Sequence, residues 1–281
     1  MFKQIILAFS PKITLEKQQQ FLSQMEKESG IQIVFLHDFA DIYQYDAKES
    51  LVLTDKREVL HAAYSRELAH IAYLHEGNAI DGFPFTPYAI TSLDGLPFSY
   101  LENVYKRFWH IPWEILTTER CKLREITVDD VDELYEIYSD GNITRYMEGL
   151  FENREEEIEY TRQYIENMYG FYGFGMWIVE RLSDGKILGR AGLNIRDGYE
   201  DFELGYVIRS DEQGKGYATE ICLAIMDYAA HELDAVALNA FIHPENAPSV
   251  RLCERLGFHR MGRVDIEGTL LDRYQIFLAD N

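Results

Sequence analysis

The stretch Glu203-Leu-Gly-Tyr-Val-Ile-Arg-Ser-Asp-Glu-Gln213-Gly214-Lys215-Gly216-Tyr217-Ala218-Thr219-Glu220 decides the fold. Its apolar opening predicts a strand over Phe202–Arg209, which runs into a tight glycine-containing turn, and the turn opens a helix from about Gly216 to His231. Two glycines let the backbone approach a ligand while several amide N–H groups point at one place. That is an anion cradle, strengthened by the positive end of the helix dipole. The spacing is not the Gly-x-x-x-x-Gly-Lys-Ser/Thr of a nucleotide P-loop, and the turn follows an apolar strand late in a mixed sheet instead of opening a βαβ unit. Within the helix Ile221, Cys222, Ile225, Met226 and Ala229 form an apolar stripe at helical spacing.

Working outward, Lys122–Glu125 predicts a strand and Thr127–Ser139 a helix, with Thr127 followed by Asp130 as its N-cap signal. Arg154–Met168 predicts a second helix, whose run Glu155–Glu157 complements the dipole at its start. Met176–Arg181 and Ile187–Ile195, separated by Ser183-Asp184-Gly185, read as a β-hairpin. Val236–Ile242 is a further strand, Pro248–Leu256 a further helix, and Val264–Ile266 with Tyr274–Leu278 close the sheet.

Ahead of Trp109–Thr118, which Pro112 punctuates, the pattern changes to alternating α and β. Ile31–Leu36, Leu51–Thr54, Ile71–Leu74 and Tyr88–Thr91 suit buried strands; Leu15–Glu28, Lys56–Leu68 and Phe98–Phe108 suit helices. The expected architecture is therefore α/β, with a small parallel-sheet, Rossmann-like domain over residues 1–118 and an α+β domain with a mixed sheet over 119–281. The 281 residues exceed one usual domain, in keeping with that division.

Composition limits the function. With 47% hydrophobic and 14% aromatic residues the chain can bury a core, so disorder is excluded. Its net charge of −21 repels phosphate backbones and anionic membrane surfaces, which argues against nucleic-acid and membrane partners. Residues 1–120 carry 11 Lys+Arg against 16 Asp+Glu, and 121–281 carry 16 against 32, so the second half holds most of the acidity. Cys121, Cys222 and Cys253 are widely spaced, with no zinc or disulfide pattern; reduced thiols, no metal and a cytoplasmic location are the expectation. The apolar run Ile5–Ala8 is far short of the ~20 residues of a spanning helix. Oligomeric state is not readable.

The second half resembles the GNAT superfamily of N-acetyltransferases, particularly the branch of ribosomal-protein N-terminal acetyltransferases. Gln213, Gly214, Gly216 and Ala218 match the family's Gln/Arg-x-x-Gly-x-Gly/Ala motif. Asn246-Ala-Pro-Ser249, continuing to Leu256-Gly257-Phe258, resembles its Asn-x-x-Ser/Ala…Leu-Gly-Phe segment, and Tyr172–Trp177 resembles this branch's entry to its second strand. The resemblance implies a sheet whose fourth and fifth strands splay apart and an acetyl-CoA cosubstrate. Its pyrophosphate would rest on the amides of Gln213, Gly214, Lys215, Gly216, Tyr217 and Ala218, with Lys215 adding charge. The backbone of Tyr206, Val207 and Ile208 would pair with the pantetheine arm, and a backbone N–H near Val207 would polarise the thioester carbonyl.

The acceptor implied is a primary amine, on a protein N-terminus or a small cationic molecule. It must lose a proton to attack, and Glu203 is the candidate base, directly or through water; pairing with an arginine or holding a cationic substrate are the alternatives. The family often protonates the leaving thiolate from a tyrosine where this chain has Cys253. Cys253, Ser249 or a water could serve instead, and Asn246 either contacts the pantetheine arm or caps a loop. Tyr172, Phe174 and Trp177 read as core more readily than as an acceptor groove, His243 as a loop histidine, and Glu155–Glu159 as a solvated helix face.

Residues 30–110 resemble the later half of a haloacid-dehalogenase-like (HAD-like) domain, through Leu51–Arg57, His70–Glu76 and Tyr88–Leu93. That family needs an Asp-x-Asp nucleophile after its first strand; the one approach to that motif is Asp38-Phe-Ala-Asp41, wrongly spaced, and Asp55 would be at most a leftover metal-side carboxylate. The first domain is therefore expected to be catalytically inactive and to pack against, regulate or recruit substrate to the second. The alternatives to an acetyltransferase are a non-catalytic acyl-CoA sensor and a HAD-type phosphatase centred on the first domain.

Overall fold

Short apolar runs separated by helices build a parallel sheet at the start of the chain, and a second, mixed sheet begins just past Pro112. The computed structural model describes residues 2–78, 86 and 88–278, and the chain divides into two units, Met1–Ile111 and Pro112–Asn281. Each unit is built on its own sheet.

In the first unit β1 (Gln4–Ala8), β2 (Gln32–Phe35), β3 (Ser50–Thr54), β4 (Ala69–Tyr73) and β5 (Ala89–Ile90) pair in parallel in the order β2-β1-β3-β4-β5. This is a doubly wound order, reversing between β1 and β3. Alternation along the strands sends Ile5, Leu7, Leu51, Leu53 and Ile71 into one core with α1 (Leu15–Ser29) and α3 (Phe98–Phe108). Ile6, Ala8 and Val52 join Val59 and Ala63 of α2 (Arg57–Ser65) on the other face. Burial on both faces is why these strands read as unbroken apolar runs. The strand expected over Tyr88–Thr91 reduces to Ala89–Ile90.

The second unit holds an eight-stranded sheet among the described residues, ordered β12-β13-β11-β10-β9-β8-β7-β6. Its strands are β6 (Glu114–Thr117), β7 (Cys121–Arg124), β8 (Met176–Arg181), β9 (Ile187–Asn194), β10 (Phe202–Ile208), β11 (Ala237–Ile242), β12 (His259–Ile266) and β13 (Thr269–Phe277). β6 is absent from the sequence reading; it pairs antiparallel with β7, so the second unit begins at Pro112, ahead of the expected residue 119. The closing hairpin β12–β13 is also longer than predicted, because its strands alternate polar residues outward at a sheet end.

Thr127 and Asp130 form a capping box before α4 (Val131–Tyr138), and a short α5 (Gly141–Thr144) follows. The helix predicted over Arg154–Met168 is α6 (Arg154–Tyr164) continued as a π-helical stretch, Ile165–Tyr172. That wider turn lets the hydroxyls of Tyr164 and Tyr169 both reach Met176: Met176 N–H donates to Tyr164 (2.6 Å), and Tyr169 donates to the Met176 carbonyl. The entry to β8 is thereby fixed. Glu157 departs from the expected solvated face; it is buried and accepts the Phe151 N–H at 3.0 Å. Trp177 and Phe174 are core, while Tyr172 is half exposed.

On the opposite side of the sheet lie α7 (Tyr217–Glu232) and α8 (Ala247–Arg255). β10 and β11 are parallel and pair only at Phe202↔Leu238 and Glu203↔Asn239. Beyond those two positions they part, while β10 stays paired with β9 as far as Ile208. Among the described residues no helix is long and apolar enough to cross a membrane.

Candidate active site

The parting of β10 and β11 opens a cleft of about 660 Å³, lined by Tyr206, Val207 and Ile208, by residues of the turn before α7, and by Asn246, Ser249 and Leu252 at α8. An antiparallel partner engages only every second residue of a strand. Val207 faces Arg190 of β9 on this register, so the N–H and C=O of Tyr206 and the N–H of Ile208 point to the side that β11 has left, and they form an edge open to an extended ligand.

The floor of the cleft is the turn. Gly214 and Gly216 have φ of +75° and +88°, a left-handed conformation that side chains resist, and both are needed to turn the chain straight into α7. In α7 the amide of Glu220 is the first to reach back, to the Gly216 carbonyl at 3.1 Å. The amides before it belong to the first turn, which no helix can satisfy internally. The turn is tied down from outside. Arg120 donates to the Lys215 carbonyl (3.0 Å), lies over the Tyr217 ring (4.4 Å), and is itself held by Glu220. Gln213 turns its side chain onto the Ile208 carbonyl (2.8 Å), closing the end of β10.

Lys215, expected to add positive charge for a ligand, does not line the cleft. It pairs with Glu212 at 2.7 Å, and Lys186 and Arg181 approach the same carboxylate. Lys215 and Lys186 hold the Glu212 carboxyl down to about 2. The cations that line the cleft are Arg145, Arg251 and Arg255, none of which the sequence reading named. Arg251 and Arg255 stand one helical turn apart on α8, and among the described residues neither has a carboxylate within ion-pair distance. Their i, i+4 spacing on α8, just after Asn246 and Ser249, is the signal that was available.

Asn246 caps α8, its Oδ1 accepting the Ser249 N–H at 3.3 Å, and it also lines the cleft. Ser249 faces the cleft beside Tyr206. Cys253 does not: it is buried in the core, and burial pushes its thiol up to about 12, so it packs as a small apolar side chain and not as an acid. Glu203 sits where β10 leaves β11, 8% exposed, with Oε2 accepting from Arg196 Nε at 2.8 Å. Of the three readings given for it, base, arginine partner and holder of a cationic substrate, the arginine pair is present. His243 stacks on Tyr146 (5.0 Å between rings), which brings the segment after α5 to the rim of the cleft.

In the first unit Asp55 lies at the carboxyl end of β3, beside the point where the strand order reverses. Its carboxylate accepts from the Ser10 N–H (2.7 Å), the Ser10 hydroxyl (2.5 Å) and His75 Nε2 (3.0 Å). No group of three or more His, Cys, Asp or Glu suited to a metal occurs among the described residues. The phosphatase alternative finds no support in that arrangement.

A sheet split at two neighbouring parallel strands, with an amide-rich turn beside the split, suits an extended anionic ligand of the acyl-CoA kind. Comparison with known proteins agrees: residues 120–259 match the family model of the acetyltransferase (GNAT) domain. The uncharacterised N-acetyltransferase YnaD of Bacillus subtilis is 30% identical over 148 residues, 52% of this chain and 84% of that protein. The uncharacterised N-acetyltransferase p20 of Bacillus licheniformis is 30% identical over 174 residues, 59% of this chain and 96% of its own length. The fold also matches the crystal form of RimL, a ribosomal L7/L12 alpha-N-protein acetyltransferase, with a TM-score of 0.52 at 16% identity over 60% of this chain and 96% of that one. The chain belongs, through its second unit, to the GNAT family of N-acetyltransferases.

Proposed function

We propose that the protein transfers the acetyl group of acetyl-CoA to a cationic primary amine, on a protein N-terminus of the ribosomal-protein type or on a small molecule, by direct attack in a ternary complex. One observation carries this: the unpaired edge of β10 and the free amides of the α7 turn line one cleft, matching the amides of a pantetheine arm and the anionic pyrophosphate. The donor set fits the group. Bound there, acetyl-CoA supplies an activated thioester carbonyl.

The protein's own part is to hold, orient and move protons. Gln213–Ala218 hold the pyrophosphate through main-chain N–H groups, and Arg251 and Arg255 supply the positive charge that Lys215 does not. A backbone N–H near Val207, from the residues of β10 whose amides face away from β9, stabilises charge developing on the carbonyl oxygen. Glu203, at the base of the split, receives the proton that the amine gives up, through water, while Arg196 holds one of its oxygens in place. The acidity of residues 121–281, 32 Asp+Glu against 16 Lys+Arg, favours a cationic acceptor. The first unit is read as a HAD-like domain without catalytic activity, since Asp55 is engaged by Ser10 and His75.

Calorimetric titration with acetyl-CoA, followed by thiol release across a panel of amines, tests the proposal. Saturable binding and turnover with an amine are expected. Binding without thiol release for every amine would favour the sensor, and no binding would overturn both. Glu203→Gln should lower kcat by roughly 10²-fold with cofactor binding unchanged, the range of general-base catalysis; an unaltered pH–rate profile would remove Glu203 from that role.

A further inference from the structure

Alternation along β11 and β13 sends Leu238, Ala240 and Tyr274 into the core with α7 and α8, and Asn239, Phe241 and Arg273 to the opposite face of the sheet. Glu203 joins them there, paired with Asn239 at the base of the split. Arg273 stands opposite Phe241, and its Nε donates to Asn239 Oδ1 at 2.9 Å. The loop between β9 and β10 packs on this group. Its Arg196 holds Glu203 and lies over the Phe241 ring (5.0 Å), while Tyr199 meets Phe241 edge-on (4.8 Å between rings) and carries the Arg273 guanidinium on its own face (4.9 Å). Two guanidinium groups thus flank one pair of rings, beside the candidate base.

Arg273 is the member without an anion. It is half-buried, its Nε is spent on a neutral amide, and the described residues give its two Nη groups neither a hydrogen-bond partner nor a carboxylate within ion-pair distance. The carboxylates of the cluster are engaged by others: Glu203 by Arg196, and Asp201 by Gln275, whose Nε2 donates to it at 2.8 Å. In a half of the chain that carries 32 Asp+Glu against 16 Lys+Arg, such an arginine is exceptional. The other arginines of the second unit that lack a carboxylate among the described residues are Arg145, Arg251 and Arg255 at the cofactor cleft, and Arg190, which lies over the Tyr164 ring. Withdrawing a guanidinium from water without a counter-charge is costly. The end left open is its two-pronged side, which matches a planar carboxylate, whereas a dianionic phosphate would be repelled by the surplus of acidic residues.

We propose that Arg273 selects the acceptor by its carboxylate: the amine acetylated is that of a free α-amino acid, whose carboxylate is held by the Arg273 Nη groups while its nitrogen lies at Glu203. The inference rests on the acetyltransferase reading above and narrows it to a small-molecule acceptor. Only the Asn239 side chain stands between Arg273 and Glu203, and an α-amino acid likewise carries its two charged groups on one carbon. Its ammonium end meets the carboxylate of Glu203 and its carboxylate end meets the guanidinium, so both charges of the zwitterion are matched, and Phe241 and Tyr199 offer apolar surface to its side chain. The ammonium gives one proton to Glu203 through water. The neutral nitrogen then forms the C–N bond as the C–S bond breaks, and its second proton balances the departing sulfur, so an N-acetyl amino acid and free CoA leave.

The test measures CoA release by wild type, Arg273→Gln and Arg273→Lys with the natural amino acids and, in parallel, with their carboxamides, which keep the amine and the side chain and lose the negative charge. Wild type is expected to favour at least one free acid over its amide by about 10–100-fold in kcat/KM, the range of one charge-assisted pair. In Arg273→Gln that ratio should fall to about one, with the change carried by the KM of the acid, and Arg273→Lys should keep an intermediate ratio because the charge remains without the fork. An equal loss for acid and amide in Arg273→Gln would make the residue a pin for the loop between β9 and β10 and overturn the proposal. So would a wild type that binds acetyl-CoA by calorimetry yet turns over only amines without a carboxylate. Absence of acetyl-CoA binding would instead overturn the acetyltransferase reading itself, and the selection by Arg273 with it.

Discussion

Replacing Glu220 by glutamine tests whether the amide cradle is held by its outer clamp. Glu220 Oε1 accepts the Thr118 hydroxyl at 2.6 Å and the Arg120 N–H at 2.9 Å, while Oε2 accepts Arg120 Nε at 2.6 Å. Arg120 passes the restraint on to the Lys215 carbonyl between the two glycines. In Glu220→Gln one oxygen becomes an NH₂, so a donor faces a donor and a charge-assisted bond, worth about 1.5–3 kcal/mol, is lost. The side chains are 18% and 40% exposed, and solvent reduces the loss toward the lower end, to about 2 kcal/mol. For the unit Pro112–Asn281 that corresponds to a fall in Tm of about 4–8 °C.

The pH dependence has a definite sign. Burial alone would raise the Glu220 carboxyl, but the Thr118 hydroxyl and the Arg120 amide and guanidinium outweigh it and hold it below its usual range. A depressed carboxyl contributes stability that is complete above its unfolded value and fades as pH falls through its folded value. Scanning calorimetry of both proteins from neutral to acid pH should therefore show a full gap at neutrality that narrows in acid. A gap under about 0.5 kcal/mol at neutral pH, the scatter of an ordinary surface substitution, would refute the clamp. A gap that widened in acid would refute the sign.

Two further substitutions separate the backbone from the charges. Gly216→Ala should weaken acetyl-CoA binding by roughly tenfold, because alanine resists φ of +88° by about 1–2 kcal/mol and relaxing that strain swings the first amides of α7 out of aim. Titration calorimetry checks it, and unchanged affinity would mean that the amides do not hold the pyrophosphate. Lys215→Ala should leave the affinity within about threefold, whereas Arg251→Ala combined with Arg255→Ala should reduce it by more than tenfold and flatten its salt dependence. The reverse ranking would return Lys215 to the site.

Much of the second unit was legible because its signals are local. The strand–turn–helix at Glu203–Glu220 rests on glycine and on periodicity, and Thr127 with Asp130 announces its helix through the capping box itself. What escaped depends on tertiary pairing. Glu114–Thr117 is too short to stand out as a strand and becomes β6 only by pairing with β7. Lys215 looks free in sequence, but Glu212, three residues back, and Lys186 from the β8–β9 hairpin convert it into part of an ion cluster. Arg196 lies seven residues from Glu203, and only the loop between β9 and β10 turns them toward each other. The π-helical turn escaped for a different reason: its i, i−5 bond, Gly173 N–H to the Met168 carbonyl, leaves the apolar pattern almost unchanged.

The way the cleft is built also governs how the enzyme can change. If the donor is recognised as proposed, by peptide groups along β10 and the first turn of α7, few side chains are needed for the donor site, so under random substitution intolerance should concentrate at Gly214 and Gly216, where the chain path itself is at stake. On the proposed function, a lineage with this architecture keeps its acyl donor constant as long as that chain path is kept, while substitutions elsewhere are free to change the amine.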